Sequence, residues 1–501
     1  MRYLPDGVWM QKADKHTIEK IGISSMVLME RAALKTVEVM ETEQIRLDKA
    51  LIVCGSGNNG GDGFAIARLM KEKGYLPTVV FAGREQSLSM ECRTQKEVLE
   101  RLGLMSCTEI PSKEYTVVID ALFGVGLNRD IQGHYVDIIA QMNQISAKKV
   151  AVDIPSGIHA EKGCVMGNAF KADLTVAFAC EKLGCVLYPG KEYSGKVLPV
   201  EIGIDLAIFK EELGVCYTYE QKDIGRYLPK RKADSHKGTY GKVLMITGSC
   251  GMAGAAYLSA KAAYTAGAGL VQIYTVKENR TILQQLLPEA IISVYTEYEE
   301  VQLASLLEWA DVVCIGCGLG MSETAEKILA ETLKRAKVPV VLDADGLNLA
   351  SRHMDILEDV KAPLILTPHM KEMTRLLGCS MEEMKEKRRE RLLDFTAKYD
   401  VVCALKDSRT IVSARGRQIF VNTAGNSAMA KAGAGDVLAG TITGLIAQKM
   451  SPYEGCVLGV YLHACAGDEA RKEKGEYSVL AEDLIWGIQT CLYNTKEREV
   501  L

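Results

Sequence analysis

The sequence has no long basic run and no large excess of charge of either sign. Its 501 residues carry 60 Lys and Arg against 64 Asp and Glu, a formal net charge of −4. The most basic stretch, KEKRRER at 385–391, follows Ser380, and Glu383 completes a helix-capping pattern, so we interpret it as a solvated helix face. Without a basic patch we expect no nucleic-acid partner.

The sequence also lacks the features of an exported or membrane-embedded protein. No apolar leader appears in the start MRYLPDGVWMQKADK, and the 15 cysteines do not have the dense, even spacing of a disulfide framework. Between Val243 and Val276 only Lys261 is charged, but five glycines interrupt this stretch, which favours a buried strand, turn, helix and strand over a membrane span. We therefore expect a cytoplasmic protein with no membrane partner.

Two familiar motif types are missing as well. Cys314 and Cys317 have the spacing of metal ligands, but no second pair or histidine cluster accompanies them, so we interpret them as small buried thiols on a strand and its loop. No GxxxxGK[ST] motif occurs among the glycine-rich turns of the second half, so any nucleotide there must be held in another way.

What the sequence does contain is two series of apolar strands separated by helical patterns, with 48% hydrophobic and 25% charged residues overall. Each series needs its own sheet, so we predict an α/β fold with two domains, 1–215 and 216–501, the first a doubly wound parallel sheet. The first predicted strands are 51–55, 78–83, 115–124, 148–157 and 172–179. The second series is 241–249, 269–276, 311–320, 339–346, 362–369 and 401–408.

The turn CGSGNNGGDG at 54–63 joins a strand to a helix. Gly55, Gly57 and Gly60 satisfy GxGxxG, a dinucleotide fingerprint that is weak evidence alone. The extra polar residues of this turn and the lack of a clean ribose-binding acid after the next strand argue against a standard nicotinamide dehydrogenase. A loop with amide NH groups, carbonyl oxygens and a carboxylate can bind a hard cation together with a phosphorylated ligand.

Acids follow other strands of the first domain. Asp120 ends VVID, and Asp153 lies in VDIPSG. Residues at the carboxyl ends of parallel strands meet at one crevice, so we predict Asp153 as an acid or base, with Asp120 and Ser156 as oxygen ligands of a cation. The alternative is that each acid only caps a helix.

The second domain carries NSAMAKAGAGDVLAGTITG at 426–444. The GAGD segment opens a helix, so backbone NH groups form an anion hole beside Asp436, which we predict to accept the proton of an attacking hydroxyl in phosphoryl transfer. The alternative is a glycine-rich helix packed closely on a neighbouring helix.

Residues from about 1 to 210 resemble the NAD(P)HX epimerases, through GNNGGDG, DALFGVGLNRD, VDIPSG and GNAFKADLTVAF. The resemblance implies a Rossmann-like fold, Asp153 at the reacting ring, and a potassium ion at Asn59, Asp120 and Ser156. Similar domains also occur in RNA-decapping scaffold proteins, which leaves a binding role open. The implied substrate contacts are Asn58, Asn59, Gly60, Gly61, Asp62, Gly124, Val125, Gly126, Leu127, Asn128, Arg129, Asp130 and Asp153.

Residues from about 220 onward resemble the ADP-dependent NAD(P)H-hydrate dehydratases, which have a ribokinase-like fold. The resemblance implies Mg²⁺ with ADP. HMKEM stands where HPGEM is common and KDSRT where KGxxT is common; His369 alone is more typical of a structural residue. The implied substrate contacts are Ala255, Gly318, His369 and Asp436, and the implied nucleotide contacts are Lys406, Asp407, Ser408, Arg409, Thr410 and Gly435.

Together the two resemblances imply a bifunctional repair enzyme for hydrated NAD(P)H, the first domain interconverting R and S hydrates and the second dehydrating the S form. Its expected ligands are NAD(P)HX and ADP, and we expect a homo-oligomer. One alternative is a ribokinase-like small-molecule kinase with a dinucleotide-sensing domain. Another makes the first domain a scaffolding module only.

Overall fold

The computed structural model describes residues 1–497. The chain forms two compact units, Arg2–Tyr217 and the segment from Thr218 onward together with Met1. The sequence places this boundary two residues earlier, between 215 and 216. None of the helices within residues 1–497 is long and apolar enough to cross a bilayer.

The first unit contains a six-stranded, fully parallel sheet in the order β3-β2-β4-β5-β6-β7. The strands of this sheet are β2 (Ala50–Cys54), β3 (Thr78–Phe81), β4 (Val117–Ala121), β5 (Lys148–Val152), β6 (Leu174–Phe178) and β7 (Lys196–Val200). Two short strands lie outside it, β1 (Arg2–Leu4) at the start of the unit and β8 (Cys216–Thr218) at its end. Its helices are α1 (Gly7–His16), α2 (Ser25–Thr42), α3 (Asn58–Glu72), α4 (Met90–Arg101), α5 (His134–Gln144), α6 (Leu183–Val186) and α7 (Gly190–Ser194).

Helices cover both faces of this sheet, which explains why its strands are continuous apolar runs. Alternate residues of β2 enter two different cores: Ile52 packs with α2 and α3, whereas Leu51 packs with α5. The predicted doubly wound parallel sheet is confirmed. The order of strand addition reverses between β2 and β4, and ligands of such sheets bind in the crevice outside the carboxyl ends at that switch point.

The second unit has a mixed sheet in which β9 to β15 are parallel and the last two strands antiparallel, in the order β17-β16-β15-β14-β13-β12-β9-β10-β11. Its strands are β9 (Lys242–Ile246), β10 (Leu270–Val276), β11 (Ile291–Tyr295), β12 (Val312–Ile315), β13 (Val340–Leu342), β14 (Leu364–Leu366), β15 (Val402–Leu405), β16 (Ile411–Ser413) and β17 (Phe420–Val421). Here the switch point lies between β9 and β12.

The helices of the second unit surround this sheet. They are α8 (Gln221–Tyr227), α9 (Ala253–Thr265), α10 (Arg280–Leu286), α11 (Glu300–Trp309), α12 (Glu323–Arg335), α13 (Asp345–Ala350), α14 (Met370–Leu377), α15 (Met381–Glu386), α16 (Arg388–Tyr399), α17 (Ala434–Ala447), α18 (Pro452–Lys474) and α19 (Ala481–Glu497). Short 3-10 or π turns cover Thr17–Ile21, Glu85–Ser87, Ala207–Phe209, Lys237–Tyr240, Lys277–Asn279, Met354–Leu357 and Ser427–Met429.

The glycine-rich helix α17 packs closely on α9. A Cβ on Gly440 would overlap the carbonyl oxygen of Ser259, and one on Gly444 would overlap that of Ala263. The close-packing interpretation of these glycines therefore holds for the middle of α17, while its first turn, with Asp436, remains partly exposed. The two interpretations of the segment apply to different parts of one helix.

Candidate functional sites

A cavity of about 1080 Å³ opens at the carboxyl edge of the first sheet, beside its switch point. Its walls include both predicted glycine segments, namely Asn58, Asn59, Asp62 and Gly124, Val125, Gly126, Leu127, Asn128, Arg129, Asp130, together with Asp153. Gly60 and Gly61 do not line it. They lie packed inside the turn, where a Cβ on Gly60 would overlap the backbone of Gly55 and one on Gly61 would meet Met29.

Asp153 lies directly after β5 with a φ of 70°, a left-handed conformation that Asp tolerates better than bulky residues and that is found at functional sites. Its Oδ1 accepts a hydrogen bond from the backbone N–H of Phe178 at 2.9 Å and an ion-paired hydrogen bond from Lys182 Nζ. Lys182, which is buried and lies four residues after β6, also donates to the carbonyl of Phe178 at 2.8 Å. The predicted acid or base is thus held by a buried ammonium group, which the motifs did not indicate.

Two further carboxyl groups that are at least partly buried line this cavity, Asp14 from α1 and Asp62 from α3. Burial, and then the charge of Asp153, raises the pKa of Asp14 to about 6, although Lys182 opposes the shift. Burial and the same neighbouring charge raise the pKa of Asp62 well above its usual range. Asp14 had no sequence signal, because only the tertiary fold shows which side of α1 faces a ligand site.

Asp120 and Ser156 are fully buried and do not line the cavity. Ser156 Oγ donates to Asp120 Oδ1 at 2.6 Å, and the Ser156 backbone N–H donates to Oδ2 at 2.8 Å. Burial raises the pKa of Asp120 to about 6 despite these hydrogen bonds. Asn59 is also buried, and neither its carboxamide oxygen nor its nitrogen has a hydrogen-bond partner within residues 1–497. Unpartnered amide oxygen and buried carboxylate are suitable ligands for a hard monovalent cation.

In the second unit, Asp436 lies in the first turn of α17, after Gly433, whose φ is 89°. Burial, and then the charge of Asp343, raises the pKa of Asp436 to about 6, while Cys317 and Lys406 act in the opposite direction. Ligand atoms of Cys317, Asp343 and Asp436 lie within 4.8 Å of one another. Cys314 and Cys317 are both buried, as interpreted from the sequence, but Cys317 also faces the acidic pair.

Asp343, which follows β13, organises this site. Its Oδ1 accepts hydrogen bonds from Lys406 Nζ at 2.6 Å and from Thr367 Oγ1 at 2.8 Å. Burial lowers the pKa of Lys406, but the charges of Asp343 and Glu372 outweigh it and the pKa is raised. Lys406, assigned to the nucleotide by resemblance, is therefore ion-paired to a buried carboxylate in this structure, and its contact with a nucleotide stays a prediction.

The implied substrate residues Ala255 and Gly318 lie together at the β9/β12 switch point. Gly318 has a φ of 60°, and a Cβ there would come within 2.8 Å of the Ala255 methyl group. His369 caps α14: its Nδ1 accepts hydrogen bonds from the backbone N–H groups of Lys371 and Glu372, both at 3.1 Å. The structural interpretation of His369 therefore holds for Nδ1, while the ring remains about half exposed and its Nε2 is the protonated nitrogen.

The predicted nucleotide-binding segment, residues 406–410, follows β15, and an ion pair and a hydrogen bond fix its position. The Asp407 carboxylate forms an ion pair with Arg388 at 3.0 Å, and the Thr410 hydroxyl donates a hydrogen bond to the Asp407 backbone carbonyl at 3.3 Å. Arg388 belongs to the basic run that we interpreted as a solvated face, so that interpretation is incomplete for this residue. Ser408 and Arg409 lie between these anchors, and Gly435 lies near Lys406, since a Cβ there would be 3.5 Å from its Nζ.

Family models match both units. A model described as NAD(P)H-hydrate dehydratase matches residues 243–490, and one described as YjeF-related protein N-terminus matches residues 25–184. Among solved structures, an ADP/ATP-dependent NAD(P)H-hydrate dehydratase from Bacillus subtilis, co-crystallised with ATP and Mg²⁺, is 31% identical with a TM-score of 0.51, over 56% of this chain and 98% of that one. A ribokinase-like superfamily protein from Enterococcus faecalis is 30% identical with a TM-score of 0.51, over 56% of this chain and 96% of that one.

Relatives match nearly the whole chain. A bifunctional NAD(P)H-hydrate repair enzyme from Moorella thermoacetica is 34% identical over 99% of this chain and 97% of its own length. Enzymes of the same name from Coxiella burnetii and Escherichia coli are 37% and 32% identical, over 92% and 97% of this chain and 94% of their own lengths. The predicted Rossmann-like and ribokinase-like domains and the predicted two-activity enzyme class are confirmed. The chain belongs to the family of bifunctional NAD(P)H-hydrate repair enzymes.

Proposed function

We propose that the chain converts hydrated nicotinamide dinucleotides back to NAD(P)H by two reactions. The first unit interconverts the R and S forms of NAD(P)HX, and the second dehydrates the S form with ADP, giving NAD(P)H, AMP and phosphate. The observation that carries this proposal furthest is the cavity of about 1080 Å³ that joins both glycine segments to Asp153. It brings a phosphate-binding type of turn and a proton-transfer group to one place.

In the first unit, Asp153 is the proposed base at the hydrated carbon. Lys182 fixes its orientation, because the Lys182 ammonium group donates to both Asp153 Oδ1 and the Phe178 carbonyl. The residues that fit a potassium ion are Asn59, Asp120 and Ser156, and a bound cation would supply the positive charge that buried Asp120 lacks. Their part in the reaction is to fix the β4 and β5 ends that carry the cavity walls.

In the second unit, a hydroxyl must become a better leaving group before it can be eliminated. Asp436 is the proposed base that takes the hydroxyl proton while the oxygen attacks a phosphoryl group of ADP, and the N–H groups of the first turn of α17 stabilise the transferred charge. The N1 electron pair then expels phosphate from C6, C5 loses a proton to solvent, and the C5=C6 double bond of the dihydropyridine forms again. Mg²⁺ would accompany the nucleotide, and the carboxylate oxygens of Asp343 and Asp436 are ligands of the type it prefers.

The test follows a mixture of R and S hydrates incubated with ADP and Mg²⁺, by absorbance at 340 nm and by chromatography of each epimer. We expect the wild-type chain to consume both, Asp436→Ala to consume neither, and Asp153→Ala to leave the R form apart from spontaneous exchange. A phosphorylated product retained in solution would instead support the small-molecule kinase. An epimerisation rate that Asp153→Ala does not change would support a scaffolding role for the first unit.

A further inference from the structure

The first cavity holds more carboxyl groups than its buried cation can neutralise. Asp14, Asp62 and Asp153 all line it, and Lys182 is its only buried cation among the described residues. The other charged groups on its walls are Arg84, Arg129 and Asp130, whose side chains are exposed and so screened by water. Three ionised carboxylates around one ammonium group would leave a buried net negative charge, which is unfavourable.

The hydrogen bonds decide where the negative charge stays. Asp153 takes both the Lys182 ammonium and the Phe178 backbone N–H. The carboxyl groups of Asp14 and Asp62 accept no hydrogen bond from any residue within 1–497. Burial without such partners raises the pKa of both groups, so Asp14 and Asp62 are the two carboxyl groups that hold a proton more readily, and the site contains a proposed base and a separate store of acid.

We propose that Asp14 is the second proton-transfer group of the epimerase site, donating to the ring nitrogen of the hydrate while Asp153 accepts the hydroxyl proton. This inference rests on the proposed epimerisation and adds the residue that works opposite Asp153. Asp14 lies outside residues 25–184, the segment that the family model of this unit matches.

The step balances without a further reactant. Asp153 removes the proton from the C6 hydroxyl, the C6=O bond forms, the C6–N1 bond breaks with its electron pair going to N1, and Asp14 gives N1 a proton. Rotation about the C5–C6 bond presents the other face of the aldehyde. Ring closure then reverses each transfer: N1 attacks C6, Asp14 recovers its proton, and Asp153 returns its proton to the oxygen.

Asp14 suits this role better than Asp62. Asp62 is only 8% exposed, whereas Asp14 is more exposed and can exchange its proton more readily. A pKa of about 6 also lets Asp14 alternate between its two forms near neutral pH, which a general acid that must be reprotonated in each cycle requires. Burial raises the pKa of Asp62 well above its usual range, which suits a group that keeps its proton and donates a hydrogen bond.

The experiment measures conversion of purified R hydrate to S hydrate by the full chain without ADP, from acid to alkaline pH. For Asp14→Asn we expect kcat to fall by about 100-fold, with KM within about threefold of the wild type, because general acids contribute about 10²- to 10⁴-fold. The wild-type rate should decline at high pH as Asp14 loses its proton, and this decline should disappear in Asp14→Asn. Asp14→Glu, which restores a carboxyl group, should recover part of the rate.

The matched control is Glu19→Gln, which removes a carboxylate from the next turn whose side chain is 56% exposed and lies outside the cavity. It should leave the rate and the pH profile unchanged. An Asp14→Asn rate within threefold of the wild type, or one that keeps the high-pH decline, would overturn the role of Asp14 alone. A wild-type chain that does not accelerate the exchange at all would overturn the proposed epimerisation and this inference with it.

Discussion

At the scale of single residues, the two proposed bases have different electrostatic surroundings. Asp153 is ion-paired to the buried Lys182, whereas Asp436 is near a second carboxylate, Asp343, which is itself paired to Lys406. A base beside a like charge is protonated more easily than one without such a neighbour. The dehydration activity should therefore be sensitive to mild acid.

Dehydration should lose activity on the acid side near the pKa of Asp436, which is about 6. The base form is the active one, so the rate rises with pH through this value. Asp343→Asn removes the neighbouring negative charge that helps to raise this pKa, and it leaves Lys406 free to lower the pKa further. We expect the half-maximal pH of kcat/KM, measured at 340 nm with S hydrate, to fall by about one pH unit.

The control for this shift is Asp355→Asn, an equal change of charge at an exposed position of the same unit. It should leave the profile where it is. If Asp343→Asn has the wild-type acid limb, then Asp343 does not act on Asp436 in the way the geometry indicates. Since Lys406 loses its buried partner, the variant should also unfold at a lower temperature, which a thermal melt will show separately.

The proposed potassium site gives a second prediction at this scale. Replacing K⁺ by a bulky organic cation should slow epimerisation. No cation would then neutralise the buried Asp120 carboxylate or bind the Asn59 carboxamide oxygen. Asp120→Asn should make the epimerisation rate insensitive to K⁺. Dehydration of purified S hydrate by the same variant serves as the internal control and should stay at the wild-type rate. A K⁺ response that survives Asp120→Asn would place the ion elsewhere.

The sequence predicted the glycine segments and Asp153 because each follows a strand in the chain, and Asp436 because it lies in a glycine-rich segment that opens a helix. Lys182 obeys the same rule, since it lies four residues after β6, and extending the strand-end argument to lysine could have found it. Asp14 obeys no such rule. It lies on a helix that precedes the sheet, and only the packing of α1 brings it to the cavity.

At the scale of elements, every strand predicted from an apolar run is present. The strands that were not predicted are mainly edge strands with mixed polar and apolar residues, or short antiparallel strands. β7 lies at one edge of the first sheet and none of its residues is fully buried, while β11 lies at an edge of the second and is only partly buried. β16 and β17 are short antiparallel additions. Apolar runs indicate strands buried on both faces, so edge strands with mixed residues gave no comparable signal.

The contact between α17 and α9 gives the prediction at this scale. Gly440→Ala would place a methyl group against the Ser259 carbonyl, a backbone atom that cannot move without shifting α9. We expect the free energy of unfolding of the second unit to fall by about 1–3 kcal/mol or more. Dehydration should be lost at a lower temperature, while epimerisation, measured on the same sample, should not change.

Gly254→Ala is the matched control, since it adds the same methyl group to α9 at a position with nothing within 4 Å. Its stability should be unchanged or higher, because Ala favours a helix over Gly by about 1 kcal/mol. Equal heat inactivation of the two variants would show that the methyl group itself, and not the helix contact, is responsible.

At the scale of the whole molecule, each of the two compact units has its own sheet and its own switch point. Each also has its own proposed base, Asp153 in the first unit and Asp436 in the second. The bifunctional family and the two-domain α/β fold were predictable because each half carries a group of specific motifs. The cytoplasmic location and the homo-oligomer stay predictions, since neither follows from motifs or from one chain. The arrangement does raise the question of whether both sites must belong to the same chain.

Because each unit contains its complete proposed site, the R and S hydrates should pass between molecules through solution. An equal mixture of Asp153→Ala and Asp436→Ala chains should therefore consume both epimers completely, although Asp436→Ala alone consumes neither and Asp153→Ala leaves the R form. The measurement is the amount of each epimer over time, with ADP and Mg²⁺, in the mixture and in each variant alone. R hydrate that persists in the mixture at the level of Asp153→Ala alone would mean that the epimer must be handed over within one chain, and the two sites could then not be independent.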